Sequence, residues 1–382
     1  MHFQQLLLLW TSFLMVFVWV GYPLLLWLLG SLASRPEGKA LAERPTISII
    51  IAAYNEEQRI RAKLENCQNF LYPPDKIEIL VASDCSTDQT ESMVAALAQR
   101  DARIRLFRSP SRAGKSGVQN LAAQHAHGDI FFFTDANTRV NREVLQLLVE
   151  DLADPRAGLV SAEVRFGSTE DAVSRGQSFY WRFEFFLRRL ESDLGILATA
   201  SGSAFAMRSQ LFRPLPTCYG DDCIAPLDVR LQGYRVLHEP RALVFDALPH
   251  SIQGELRARI RMTARNWSGT LARPAILNPF RFPLTALGLL AHKLLRWLTP
   301  FLLAIIFVAN TGLALRGRAI LPWILQTVFY LSALVGWLRT RSQRPAGPFG
   351  YPFSFCLANL GFFLGMIKVL QSQRIVAYPP LE

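Results

Sequence analysis

The chain has 382 residues, 51% of them hydrophobic, with a mean hydropathy of +0.19 and a formal net charge of +11. The apolar residues gather at the two ends around a polar middle, which excludes a wholly soluble protein and predicts a membrane protein with one good-sized polar domain. Much of the positive excess is Arg between Arg175 and Arg296, and no nucleic-acid-binding motif accompanies it, so lipid headgroups and pyrophosphate are favoured over nucleic acid as partners.

Residues Leu6 to Leu29 carry no charge. At about 1.5 Å per residue they reach roughly 36 Å, enough to cross a bilayer. No Lys or Arg precedes them, so a retained anchor (residues 1–32) is expected rather than a cleaved leader. The flanking cations Arg35, Lys39 and Arg44 all follow the segment, which places the polar middle in the cytoplasm and predicts a multi-pass protein of the cell (inner) membrane.

After a polar linker, Ser31 to Pro45, the β-branched run Ile47 to Ala53 reads as a strand buried on both faces of a parallel sheet. It breaks at Tyr54-Asn55-Glu56-Glu57, and a helix is expected over Gln58 to Phe70. Ile77 to Ala82 is the next strand. Ser83-Asp84-Cys85-Ser86-Thr87-Asp88 then opens a helix over Gln89 to Gln99. Ile104 to Phe107, a Gly-containing loop through Lys115, a helix from about Gly117 to Ala126 and the strand Ile130 to Phe133 complete the first half. Strand and helix alternate with short connections, predicting an α/β, Rossmann-like unit. Right-handed crossovers put the strand-end loops on one edge, so Asn55, Asp84 and Asp135 are expected to be neighbours.

The second half is less regular. Strands are expected over Leu159 to Phe166, just after Ser201 to Met207, and over Tyr234 to Glu239; helices over Phe179 to Asp193 and from Gly220-Asp221-Asp222 to Gln232. Arg257, Arg259, Arg261 and Arg265 then recur, with apolar residues and Pro through Pro283, as in a segment lying in the membrane interface (residues 251–283). Three further apolar stretches follow within 284–372: Leu284 to Leu303 extended to Val308, Ile320 to Leu338, and Phe353 to Leu370. The basic loop Arg339 to Arg344 falls inside on this topology; Arg316 and Arg318 fall outside, against it. The five cysteines are scattered, without zinc-ligand spacing.

Each chemical candidate has a plain structural alternative. Asp84 can cap the helix that follows it, Asp135 can be a turn residue, and Asp221 and Asp222 can be first-turn carboxylates favoured by a helix dipole. The arginines can form a solvated or lipid-facing stripe. Their joint arrangement argues for chemistry: two carboxylates at adjacent strand ends, with a later acidic pair and a group of arginines able to return to the same edge. A nucleotide diphosphate needs acceptors for base and ribose, cations for pyrophosphate and a carboxylate-held divalent metal, and group transfer needs one more carboxylate as base. Ala113-Gly114-Lys115-Ser116 is a poor phosphate-binding loop, because the required earlier Gly falls on Ser109 and Pro110 interrupts it.

The ordered set I-S-I-I-I-A-A-Y-N-E-E, S-D-C-S-T-D, G-K-S with Asn120, T-D-A-N, S-G-S-A-F-A-M-R and D-D-C-I-A-P-L-D-V-R-L-Q-G-Y-R resembles the family 2 glycosyltransferases with the GT-A fold. It is most similar to the membrane-embedded branch that includes exopolysaccharide, cellulose, chitin and hyaluronan synthases, over roughly Pro45 to Gly269. The resemblance implies a cytoplasmic catalytic domain over 45–250, one amino-terminal and about three carboxy-terminal membrane helices, and an inverting transfer from a UDP-linked sugar to a lipid-linked or growing glycan acceptor. It implies that Asp84, helped by the loop Ala53, Tyr54 and Glu56, meets the uracil. Asp135 stands near ribose, pyrophosphate and Mg2+ or Mn2+, Asp222 is the base beside Asp221, and Lys115 and Arg265 are cations near the nucleotide. Asn137 stands where the D-x-D motif has its second Asp, so the metal has one anionic ligand fewer. Arg265-Asn266-Trp267 departs from the Gln-x-x-Arg-Trp signature of the processive synthases, which leaves single addition ahead of a processive synthase, and both ahead of a non-catalytic nucleotide-binding scaffold.

Overall fold

The computed structural model describes residues 2–31, 43–167, 172–247 and 251–371. Most of the linker, with Arg35 and Lys39, lies outside them. An apolar helix α1 (Phe3–Gly30) leads into β1 (Ile47–Ala53), α2 (Ile60–Gln68), β2 (Ile77–Ser83), α3 (Thr90–Ala98), β3 (Ile104–Arg108), α4 (Gly114–Ala123) and β4 (Ile130–Asp135). Then come β5 (Arg139–Val140), α5 (Val144–Leu152), β6 (Ala157–Phe166), α6 (Ala172–Asp193), β7 (Ala204–Arg208), α7 (Asp221–Leu231) and β8 (Arg235–Asp246). The chain closes with α8 (Ile252–Leu271), α9 (Pro283–Trp297), α10 (Thr299–Ala314), α11 (Ile320–Arg341) and α12 (Gly350–Leu370).

The strands form one eight-stranded sheet in the order β3-β2-β1-β4-β7-β6-β8-β5. β1 is parallel to both β2 and β4, and its β-branched run is buried on both faces. Ile49 and Ile51 point into one apolar cluster with Val81 and Phe132, while Ile50 points into the other with Leu80 and Phe133. The Rossmann-like expectation holds for β1 to β4. Beyond β4 the sheet turns mixed: β7 runs antiparallel to β4 and β6, and β8 pairs parallel with β6.

Three departures from the expected elements bear on function. Helix α4 begins at Gly114 rather than Gly117, because the carboxylate of Asp84 accepts the first amides, from Ala113 at 2.7 Å and Gly114 at 3.1 Å. Strand β8 runs to Asp246 instead of stopping at Glu239, carried past Pro240 by a register shift against β6. The apolar stretch after Pro283 is not one straight helix: α9 and α10 meet at 59°, where Pro300 opens the second helix. Three helices, α1, α11 and α12, are long and apolar enough to cross a membrane, or four if the bent pair counts as one span.

Candidate active site

Two loops meet at the carboxyl ends of β1 and β2. Asn55 and Cys85 both adopt left-handed backbone, with φ of 52° and 58°, which folds the loops toward each other. Asn55 Oδ1 accepts from the Thr87 amide (2.8 Å), the Asp88 carboxylate accepts from the Glu57 amide (3.0 Å), and the Glu57 carboxylate accepts from the Gln89 amide (3.0 Å). Asp88, through the Thr90 amide and hydroxyl, is the residue that organises the start of α3. Asp84 is therefore not the cap of the following helix. It is buried at the amino end of α4, with Arg112 at 3.2 Å, and Arg112 in turn lies 3.3 Å over the Tyr54 ring. The amides that a phosphate-binding loop would offer at Gly114 are already taken. Ala53 is buried and contributes its carbonyl to the Asp84 amide; burial raises the carboxyl pKa of Glu56, which lies 3.5 Å from Arg59.

The centre of the site is Lys115, in the first turn of α4. Its ammonium meets Asp135 Oδ1 at 2.6 Å, Asp221 Oδ2 at 3.0 Å and the Gly202 carbonyl at 2.9 Å. One cation thus ties together the end of β4, the start of α7 and the loop before β7. Buried Lys63 on α2, which the sequence reading passed over, holds the turn after Asp135 by donating to Thr134 Oγ1 (2.7 Å) and the Thr138 carbonyl (3.1 Å). Its burial lowers its pKa, so those acceptors are what keep an ammonium there.

The acidic pair divides. Burial alone would raise Asp221, but the Lys115 ammonium, the Gln119 amide (3.0 Å) and Arg265 outweigh it and hold that carboxyl below its ordinary value. Asp222 is pushed up, by burial and by the Asp221 charge, and no donor among the described residues reaches its carboxylate. A buried, fixed anion beside a partly accessible carboxylate with raised proton affinity is an arrangement suited to general base work. Gly220 makes room for it, since a Cβ there would collide with the Asp222 carboxylate and come within 2.8 Å of Asn266 Oδ1. Arg265 on α8 is buried, donates to the Tyr219 carbonyl and lies near both aspartates.

Asp246, at the end of β8, was not anticipated. Its Oδ2 accepts from the Ser203 hydroxyl (3.2 Å), while the Ser203 carbonyl accepts from the Asp135 amide (3.3 Å), so one residue links the two carboxylates. Burial and the Asp135 charge push Asp246 up to about 6. Two mutually repelling carboxylates with the amide oxygen of Asn137 nearby in sequence are a hard oxygen donor set, of the kind Mg2+ or Mn2+ takes. No group of three or more His, Cys, Asp or Glu side chains gathers into a metal site among the described residues.

The arginines of α8 are not one lipid-facing stripe: Arg257 is exposed, while Arg259 and Arg265 are buried.

Comparison with known proteins agrees with this geometry. The model of Glycosyl transferase family 2 matches residues 48–215. A probable glycosyltransferase of Bacillus subtilis is 27% identical over 59% of the chain and 56% of its own length, and an N-acetylglucosaminyltransferase of Rhizobium meliloti is 24% identical over 80% and 72%. The chain thus spans little more than half of the first relative. A solved mannosyltransferase of Pyrobaculum calidifontis, in complex with GDP-Man and Mn2+, shares the fold with a TM-score of 0.74 at 25% identity, over 96% of this chain and all of that one. Residues 48–215, which carry the parallel sheet edge, thus form a glycosyl transferase family 2 domain, and the fold around it is that of the GT-A glycosyltransferases.

Proposed function

We propose that the protein transfers a sugar, with inversion, from a nucleoside diphosphate donor to a lipid-linked acceptor at the cytoplasmic face of the cell membrane. The observation that carries this reading is the division of labour between Asp221, fixed by Lys115, and Asp222, left without a donor and with raised proton affinity.

The donor base lies against Asp84 and the Tyr54–Arg112 stack, and the pyrophosphate is met by Lys115 and Arg265. A divalent cation, held by Asp135 and Asp246 with Asn137, neutralises charge on the leaving diphosphate when bound. Asp222 takes the proton from the acceptor hydroxyl as that oxygen attacks the anomeric carbon from the side opposite the diphosphate. Lys115 exchanges its contact with Asp135 for the incoming phosphates, which leaves Asp135 free for the cation while Gly202 and Asp221 keep the ammonium in place. Burial of the site strengthens each of these charge interactions relative to water.

The UDP-linked donor expected from sequence has a competitor in a GDP-linked one, because the solved mannosyltransferase that covers 96% of this chain holds GDP-Man. A carboxylate such as Asp84 accepts from N3–H of uracil or from N1–H and the amino group of guanine. The single-addition reading is preferred to a processive synthase, since the chain lacks the Gln of the processive signature and separates Arg265 from Trp267 by one residue. Purified protein is tested against UDP- and GDP-sugars, with Mn2+, with Mg2+ and with EDTA, for release of the nucleoside diphosphate. Metal-dependent release from one base class is expected; release from no donor with either metal overturns the reading.

A further inference from the structure

Away from the sheet edge, a cavity of about 640 Å3 lies among α1, α6, α8, α11 and α12. Its volume is within the roughly 300–1,000 Å3 of small-ligand sites. Most of its wall is aromatic or aliphatic, with Phe329, Phe355, Leu357 and Phe362 contributed by the two apolar helices α11 and α12.

One part of the wall is of different character. Arg259 is only 4% exposed. Its Nε donates to Glu255 (2.6 Å), its guanidinium lies 4.0 Å over the Tyr180 ring, and its Nη1 has no partner among the described residues. The Ser354 hydroxyl and the Trp19 indole N–H, on the same wall, are also without partners. A Cβ at Gly361 would meet Arg259 Cβ at 2.5 Å, so this glycine lets α12 press on α8 and fixes the arginine in place. Behind Tyr180, Arg296 donates to the Tyr180 hydroxyl (2.9 Å) and to Glu184, yet its Nε and Nη1 are unpartnered. The buried cations here, Arg188, Arg259, Lys293 and Arg296, outnumber the buried carboxylates Glu184, Glu191 and Glu255. Leaving guanidinium N–H groups unsatisfied beside an apolar cavity is costly, and an anion would remove that cost. From Glu184 the chain of charges continues through Arg188 to the Ser201 hydroxyl (3.2 Å), next to the Gly202 carbonyl that holds Lys115.

We infer that this cavity binds a lipid phosphate: the hydrocarbon chain fills the aromatic part between α11 and α12, and the phosphate accepts from Arg259 Nη1, Ser354 and Trp19. Three unpartnered donors, one of them on the buried Arg259 cation, match the several acceptor oxygens and the charge of a phosphate, and the cavity wall matches a chain of methylenes. The inference gives the lipid that carries the acceptor a chemical class and a seat: the phosphate anchors the lipid, and the hydroxyl that Asp222 deprotonates belongs to the head group attached beyond it. It rests on the proposed function only for what the lipid does there.

The test uses the full chain in detergent and three probes: phytyl phosphate, phytol and inorganic phosphate, each titrated by native mass spectrometry. Saturable binding of one phytyl phosphate is expected, with phytol and inorganic phosphate weaker by about 10- to 100-fold, the value of a charged hydrogen bond. The double variant E255Q/R259Q, which removes both partners of the buried pair, and Ala358→Phe, which fills the cavity, should each weaken phytyl phosphate while nucleotide affinity stays the same. Equal binding of phytol and phytyl phosphate, or wild-type lipid affinity in both variants, overturns the site. Phytyl phosphate carries no acceptor hydroxyl, so its binding through Arg259 tests the seat by itself; if it binds there yet does not compete with a lipid-linked glycan acceptor for sugar transfer, the site stands and the acceptor assignment is removed. Sugar transfer to a lipid-linked acceptor that proceeds undiminished in both variants, while phytyl phosphate binding is weakened, likewise removes the acceptor assignment.

Discussion

The two ends of the molecule solve the burial of charge in opposite ways. At the sheet edge, Lys115, Asp135 and Asp221 satisfy one another within 3.0 Å, Asp84 is saturated by the start of α4, and Lys63 has three oxygen acceptors. Among the helices at the other end, Arg259 and Arg296 keep donors without acceptors. The paired charges of the sheet edge hold one another in place before the donor arrives, although Asp222 has no donor there and the buried Ser116 Oγ and Gln119 Oε1 have no partner among the described residues. The unsaturated end is incomplete by itself, which is what a site awaiting an anionic partner looks like.

Substitutions sharpen this contrast, beginning with the largest effect. Asp135→Ala removes one of the three contacts of Lys115 and the proposed ligand of the divalent cation, and should lower turnover by about 10^3-fold with loss of metal response, comparable to removing one preorganised charge-stabilising group. Retained Mn2+ stimulation would place the metal elsewhere. Asp84→Ala should raise the donor dissociation constant by about 10- to 100-fold, measured by calorimetry with the nucleoside diphosphate, because the start of α4 and Arg112 lose their common acceptor. Lys63→Met strands the Thr134 and Thr138 oxygens and should destabilise the fold by about 2 kcal/mol in denaturant titration. Little change there would mean that water replaces the ammonium. Smallest is a pH effect. Asp222 must be deprotonated to act as base, and burial with the Asp221 charge raises its proton affinity, so activity is lost as pH falls through a value higher than that of an ordinary aspartate. Asp221→Asn removes the repelling charge and should move that acid limb of kcat/KM to lower pH.

The parallel half was legible because Ile47 to Ala53 and Ile130 to Phe133 are β-branched or aromatic runs that end in turn residues, and a parallel sheet brings such ends together. Asp84 and Asp135 followed from that, and Lys115 from its place on the intervening loop. Asp246 did not follow: Pro240 reads as the end of a strand, and only a register shift against β6 lets the chain continue to the carboxylate. Arg259 was hidden for another reason. In sequence it belongs to a regular series with Arg257 and Arg261, and which member turns inward depends on Gly361 of a helix about a hundred residues later. The antiparallel turn at β7 was likewise out of reach, since Ser201 to Met207 carries small residues that suit either direction.

The central claim is that the fixed Asp221 and the free Asp222 have separate duties, and one variant tests it. Asp222→Asn keeps the shape and removes the base; sugar transfer and donor affinity are measured on the same preparation. A fall in turnover of about 10^2- to 10^4-fold with unchanged donor affinity is the predicted result. Turnover within a few-fold of the unaltered enzyme, or a loss explained by weaker donor binding, would contradict it.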